Sequence, residues 1–206
     1  MNSYQAFDEK VAVSNQFPNA ISCLTRAFQD DPVLAYLFED EEQRPLLLSA
    51  FFANRIAVNS PTDELLVPVK PDDSSAAALW ERPEKDSTND STFSAMVAGL
   101  TAILGQDWIT DRLVNLFVLG EAKPKTPHWY LGFVGTLPEA RGKGLASALI
   151  SSVTEICDAE NIPAYLESSS PDNVPLYERH GFRITGEAKI KDGPTVPLMW
   201  RDPIPD

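Results

Sequence analysis

Apolar residues recur at helical spacing twice in the first part of the chain, over Asn19 to Phe28 and over Glu42 to Val58, with Pro32 and Pro61 breaking the pattern after each. The period then shortens. Glu64 to Val69 and Ala76 to Trp80 carry the brief apolar runs of strands, and the turn formers of Lys70-Pro-Asp-Asp-Ser-Ser75 between them predict a hairpin. Arg82 to Asn89 is polar and reads as a loop, after which Phe93 to Leu104 and Asp111 to Leu119 return to helical spacing.

The second half is more sharply patterned. After the loop Gly120 to Pro127, the aromatic and β-branched run Trp129 to Thr136 predicts a central strand. In the helix that follows, Leu145, Ala148, Leu149, Val153, Ile156 and Cys157 fall on one face, opposite Ser151, Glu155 and Asp158. Ala164 to Ser168 predicts another strand, and Val174 to His180 a short helix with Gly181 as a left-handed stop. Asp192-Gly193 predicts a last hairpin turn, and Pro203 to Asp206 a frayed tail. Mixed α/β structure without internal repeats is expected, in one domain over residues 1–206.

Composition narrows the field. A chain of 206 residues with 43% hydrophobic content can bury one sizeable core. Cys23 and Cys157 sit in helix-like apolar patterns without metal-ligand spacing, so buried free thiols are expected, with neither disulfide nor metal. The first ten residues lack a signal-like basic and apolar pattern, and the apolar stretch Pro45 to Val58 is interrupted by Asn54 and Arg55; a cytoplasmic protein with no membrane partner is expected. Net charge is -13, which repels a nucleic-acid backbone, and the acids of Glu39 to Glu42 read as a solvated face.

Candidate chemistry concentrates in Phe133-Val-Gly-Thr-Leu-Pro-Glu-Ala-Arg-Gly-Lys-Gly-Leu-Ala146, a strand running through a turn into a glycine-flanked basic loop that opens a helix. Glycines there admit an anion to the backbone, and the first helical amides point at it. A nucleoside-triphosphate loop needs glycine and a hydroxyl where Leu137 and Gly144 stand. A dinucleotide fingerprint would begin at Gly142-x-Gly144 and use Glu167, but Ser147 holds its third small position and too little chain follows. The third pattern is Arg/Gln-x-x-Gly-x-Gly/Ala, met by Arg141, Gly144 and Ala146.

With that motif, and with Leu166-Glu167-Ser168, Asn173-Val-Pro and Leu176-Tyr-Glu-Arg-His-Gly-Phe182 following in order, the chain resembles the GNAT superfamily of acyl-CoA-dependent N-acetyltransferases. Within it, the likeness is to the puromycin N-acetyltransferase group, from about His128 to Trp200 with a fainter echo in Arg26 to Pro32 and Ala78 to Trp80. The resemblance implies the GNAT fold, an α/β mixed sheet with two splayed middle strands and flanking helices. It places an acceptor-side half at about 1–120 and an acetyl-CoA half at about 128–200. Acetyl-CoA is the implied co-substrate, without a metal. Backbone groups of Val134, Gly135 and Thr136 would meet pantetheine, and the amides of Arg141, Gly142, Lys143, Gly144, Leu145 and Ala146 its pyrophosphate. Asn173 matches the superfamily's side-chain contact to pantetheine, although an asparagine there also suits a helix N-cap.

Tyr177 matches the tyrosine that meets the departing thiolate. A phenol near ~10 against a thiol near ~8.5 makes full proton transfer uphill by roughly 2 kcal/mol, so hydrogen bonding is the expected form of help. Many members carry a basic carboxylate on the strand that here reads Leu131-Gly-Phe-Val134, where no acid stands; Glu167 is the first candidate in its place, ahead of the acids near Asp31. Asp31, Trp80 and Trp129 are candidate acceptor contacts, and His128 and His180 are set aside, His128 as solvent-exposed.

The expected reaction moves acetyl from acetyl-CoA to the amine of a small molecule, such as a drug, toxin or metabolite, by direct attack in a monomer or homodimer. A peptide amine, or a non-catalytic acyl-CoA sensor, are the alternatives.

Overall fold

The computed structural model describes residues 17–57, 64–66, 75–83 and 90–204. Its sheet comprises β1 (Glu64–Leu66), β2 (Ala76–Glu81), β3 (Trp129–Thr136), β4 (Ala164–Glu167), β5 (Arg183–Lys189) and β6 (Thr195–Arg201), in the order β1-β2-β3-β4-β6-β5. Neighbours are antiparallel except β3 and β4, which run parallel. The predicted hairpin strands pair as β1 and β2, while residues 67–74 of their connection, and 84–89 of the predicted polar loop, lie outside the described residues.

Period-2 alternation along the strands sends side chains into two cores. Ala76, Ala78, Trp80, Trp129, Leu131, Ala164, Leu166 and Met199 face α7 (Leu145–Glu160) and α8 (Val174–Glu178). On the opposite face, Ala77 and Leu79 meet α1 (Phe17–Ala27), α2 (Pro32–Leu37), α3 (Arg44–Ala57), α4 (Asp90–Leu104) and α5 (Gln106–Asp111). The far end of that face carries Tyr165, Ala188 and Leu198 under α6 (Phe117–Ala122). In α7 the predicted Leu145, Leu149, Val153 and Cys157 are buried, joined by Ile150 and Thr154. Both cysteines are buried and free.

Four local expectations are corrected. Pro32 opens a helix instead of ending one, because Asp31 caps α2 and proline suits a first helical position. Asp111 to Leu119 is not one helix: α5 ends, Leu113–Leu116 forms a 3-10 turn and α6 begins. There the Asn115 amide donates to Asp111 O at 2.9 Å and to the Tyr36 hydroxyl at 2.8 Å, competing with helical bonding. His128 is buried, its ring at centroid distances of 5.4 and 5.6 Å from those of Tyr165 and Trp200. The tail is tied as far as Ile204, whose amide donates to Asp158 at 2.7 Å.

Candidate active site

Parallel pairing of β3 with β4 consists of Trp129 with Ala164 and Tyr130 with Tyr165, and there it stops. β3 continues along β2 to Thr136 while β4 continues along β6 to Glu167, so the two middle strands splay. From Leu131 onward the β4-facing backbone groups of β3 have no partner strand among the described residues. Thr136 Oγ1, further up the opening, is buried without a hydrogen-bond partner among the described residues. Buried polar groups of this kind are costly unless something pairs them. Both features fit an amide-rich arm lying in the gap as a pantetheine does.

At the top of the cleft the chain turns through Pro138–Ala140 into the glycine loop. Gly142 and Gly144 adopt φ of 77° and 78°, left-handed values that side chains resist. Gly144 is the N-cap of α7 and offers no side chain to its first-turn amides, which suits them to phosphate oxygens. The loop is anchored to the end of α1: Arg141 donates to Ala27 O at 3.3 Å, and Arg26 pairs with Glu139 at 2.9 Å. Gly135 permits the same approach from the sheet, since a Cβ there would lie 2.8 Å from that of Ala27. Asn173 stands at the N-cap of α8, yet its exposed side chain makes no capping bond.

Tyr177, on α8, is buried, and burial followed by the charge of Asp31 raises its pKa well above an ordinary phenol. Tyr177 therefore holds its proton. Glu167 ends β4 on the same side of the strand as Tyr165, and it accepts the hydroxyl hydrogen of Tyr130. Burial raises the Glu167 pKa, opposed by that hydrogen bond and by Lys123. Lys123 lies 3.8 Å from the centre of the Tyr130 ring and 3.4 Å from Glu81, which also pairs with Arg55. Asp31 is partly buried at the head of α2 and accepts the hydroxyl hydrogen of Ser169.

The structure thus gathers Asp31, Ser169 and Tyr177 in one neighbourhood and places Glu167 two residues before that serine, with Tyr130 against it. Trp80 and Trp129 stand apart. They are 0% and 1% exposed in the α7-side core, edge to face at 6.4 Å, so they form no open acceptor wall. Sequence reasoning missed Ser169 and Lys123. The Asp31–Ser169 contact spans 138 positions and leaves no local signal, whereas strand alternation alone would have put Tyr130 and Glu167 on one side of their strands. Among the described residues no cluster of three or more histidine, cysteine or acidic side chains is arranged to hold a metal, and no helix is long and apolar enough to cross a membrane.

A splayed parallel pair, a left-handed glycine loop and a phenol beyond them define an acyl-CoA-dependent acyltransferase. The family model for the acetyltransferase (GNAT) family matches residues 68–182, and the chain belongs to that family, whose co-substrate is acetyl-CoA. An uncharacterized N-acetyltransferase of Schizosaccharomyces pombe is 30% identical, covering 92% of this chain and 81% of that one. The crystal structure of histone acetyltransferase HPA2 and related acetyltransferase from Corynebacterium glutamicum is similar at 28% identity, a TM-score of 0.70 and 94% coverage of each chain. Arylalkylamine N-acetyltransferase 2 of Aedes aegypti shares the fold at 14% identity and a TM-score of 0.61, covering 94% of this chain and 97% of its own.

Proposed function

We propose that this acetyltransferase modifies the amine of a small molecule by direct attack on acetyl-CoA. The observation that carries the reading is the partly buried carboxylate of Asp31, which accepts from Ser169 and whose charge reaches the Tyr177 phenol, with the partly buried Glu167 ending β4 two residues before that serine. Such carboxylates favour a cationic amine, and their burial suits a small head group better than a peptide lying across an open face. Arg141, Lys143 and the amides from Gly142 through Ala146 hold the pyrophosphate, and Val134, Gly135, Thr136 and Asn173 the pantetheine.

When bound, acetyl-CoA supplies an activated acetyl thioester. Glu167, solvated by the Tyr130 hydroxyl, holds the acceptor's ammonium head at the narrow end of the cleft. Tyr177 keeps a proton at its phenol oxygen and donates a hydrogen bond to the leaving sulfur. The likeness to the puromycin N-acetyltransferase group favours a bulky, partly aromatic acceptor, and acetylation of a drug, toxin or metabolite.

The test is CoA release by the purified chain over a panel of puromycin, polyamines, aminoglycosides and basic peptides. Turnover of one or more small amines is expected. Turnover confined to peptides would replace this reading with a protein-modifying one. Tight acetyl-CoA binding with no turnover of any amine would favour a sensor.

A further inference from the structure

Lys123 fills a position that the fold does not need it to fill. It is the C-cap of α6, and its side chain, 34% exposed, reaches back over the sheet. There its Nζ sits 3.8 Å from the centre of the Tyr130 ring and donates to Glu81 Oε2 at 3.4 Å. Glu81 ends β2, and its other oxygen, Oε1, already pairs with the buried Arg55. That carboxylate is therefore compensated without the lysine, and an ion pair as exposed as the one Lys123 adds contributes little to stability. The Tyr130 hydroxyl, at the far end of the same ring, donates to Glu167 Oε2. Register explains the row. Glu81 lies opposite Tyr130 across β2 and β3, and Tyr130 lies opposite Tyr165 on β4, two residues before Glu167 and on the same side of that strand.

An aromatic face beside a carboxylate is a site for an organic cation. Here the chain occupies that site with an ammonium of its own. We propose that Lys123 determines acceptor specificity: its ammonium holds the place between the Tyr130 ring and Glu81 that a second ammonium of the acceptor would take, and so confines the enzyme to amines carrying a single positive charge in this part of the cleft. The inference rests on the amine-acetylation reading, in which Glu167 holds the acceptor's ammonium head. With that head bound, the positive charges of Arg55, Lys123 and the acceptor already outnumber the carboxylates of Glu81 and Glu167. A second ammonium would meet Lys123 with no carboxylate of this row left to pair it, and like-charge contact of that kind discriminates between ligands more sharply than an added attraction does. Without the lysine, Glu81 Oε2 and the face of the Tyr130 ring become open to that second ammonium.

The test uses the purified full chain and an amine that it acetylates, whose acetyl product is followed at neutral pH while pentylamine or cadaverine competes. The two competitors share one carbon chain and differ by a terminal ammonium. In the parent, cadaverine should compete no better than pentylamine. In Lys123→Met the ratio of the pentylamine Ki to the cadaverine Ki should rise about tenfold, whereas Lys123→Arg, which keeps the charge, should stay at the parent ratio. A merely structural role for the lysine would weaken both competitors together and leave the ratio where it was. Should Lys123→Met fold poorly, Lys123→Gln removes the charge with a polar head and is read the same way. An unchanged ratio in the neutral variants, a rise in Lys123→Arg as large as in Lys123→Met, a parent that prefers cadaverine, or competition by neither amine would each overturn the proposal while leaving amine acetylation standing. A parent chain that acetylates no amine would overturn both.

Discussion

Arg201 on β6 grips Asp158 on α7 with both terminal nitrogens, Nη1 to Oδ1 at 2.7 Å and Nη2 to Oδ2 at 2.6 Å, while its Nε donates to His180 O at 2.8 Å. One guanidinium thereby clamps the helix below the glycine loop to the turn that follows the Tyr177 helix. The Arg201 side chain is 4% exposed and Asp158 26%, so the pair is largely shielded from water.

Arg201 hydrogen-bonds Asp158 and holds its pKa below the usual carboxylate value. A depressed pKa adds stability above the unfolded value near ~3.9 and loses it as pH falls through the folded one. Asp158→Asn should therefore lower Tm at pH 7, and the difference from the parent should close below about pH 4. Arg201→Met should cost more, about 3 kcal/mol, because the His180 carbonyl also loses its donor. Thermal melts across pH measure both.

Gly144→Ala should weaken acetyl-CoA binding through backbone strain. A Cβ at Gly144 meets nothing within 4 Å, so no clash is involved, but φ of 78° costs an alanine about 1–2 kcal/mol. If the loop relaxes to avoid that cost, its amides leave the pyrophosphate. Calorimetry should show a Kd raised roughly 5- to 30-fold.

Gly135→Ala acts through packing. The added methyl would sit 2.8 Å from Ala27 Cβ and 3.0 Å from Phe28 Cε2, forcing α1 off β3. Destabilisation of about 1–3 kcal/mol is expected in denaturant titrations, with weaker acetyl-CoA binding because α1 also anchors Arg141.

Tyr177→Phe should lower kcat and kcat/KM together by about 10²-fold, leaving acetyl-CoA Kd unchanged, since the phenol's hydrogen bond strengthens only as the sulfur gains charge. Steady-state kinetics alongside calorimetry separates the two.

Cys157 is buried and its thiol pKa is pushed up to about 12, chiefly by burial. It should not react with a thiol reagent at pH 8 until the chain unfolds, because so little thiolate forms. Absorbance during titration with and without denaturant checks this.

Local chemistry was legible where one element decides it. The strand Trp129–Thr136, the α7 face and the left-handed Gly181 follow from short-range pattern. Sequence could not show what distant residues do to one another. Pro32, by contrast, was legible but misread as a break, because Asp31 caps the amides of Val33 and Leu34 only two and three residues on, a local signal for a helix start. His128, behind a proline at a strand entrance, looked exposed because the rings of Tyr165 and Trp200 that cover it come from elsewhere in the chain. Asp31 was visible as an acid near the acceptor half, but its engagement with Ser169 and its field at Tyr177 depend on the closed fold.

The two rungs joining β3 to β4 leave the sheet as two three-stranded leaves hinged along a short seam. A molecule lying in the opening beyond that seam, as proposed for pantetheine, would supply the missing rungs, act as a temporary seventh strand and stitch the leaves together. Thermal resilience should then track co-substrate concentration, rising by about 2.7 kcal/mol at a hundredfold excess over Kd. Amide exchange should slow on both leaves at once, including residues that the molecule never touches.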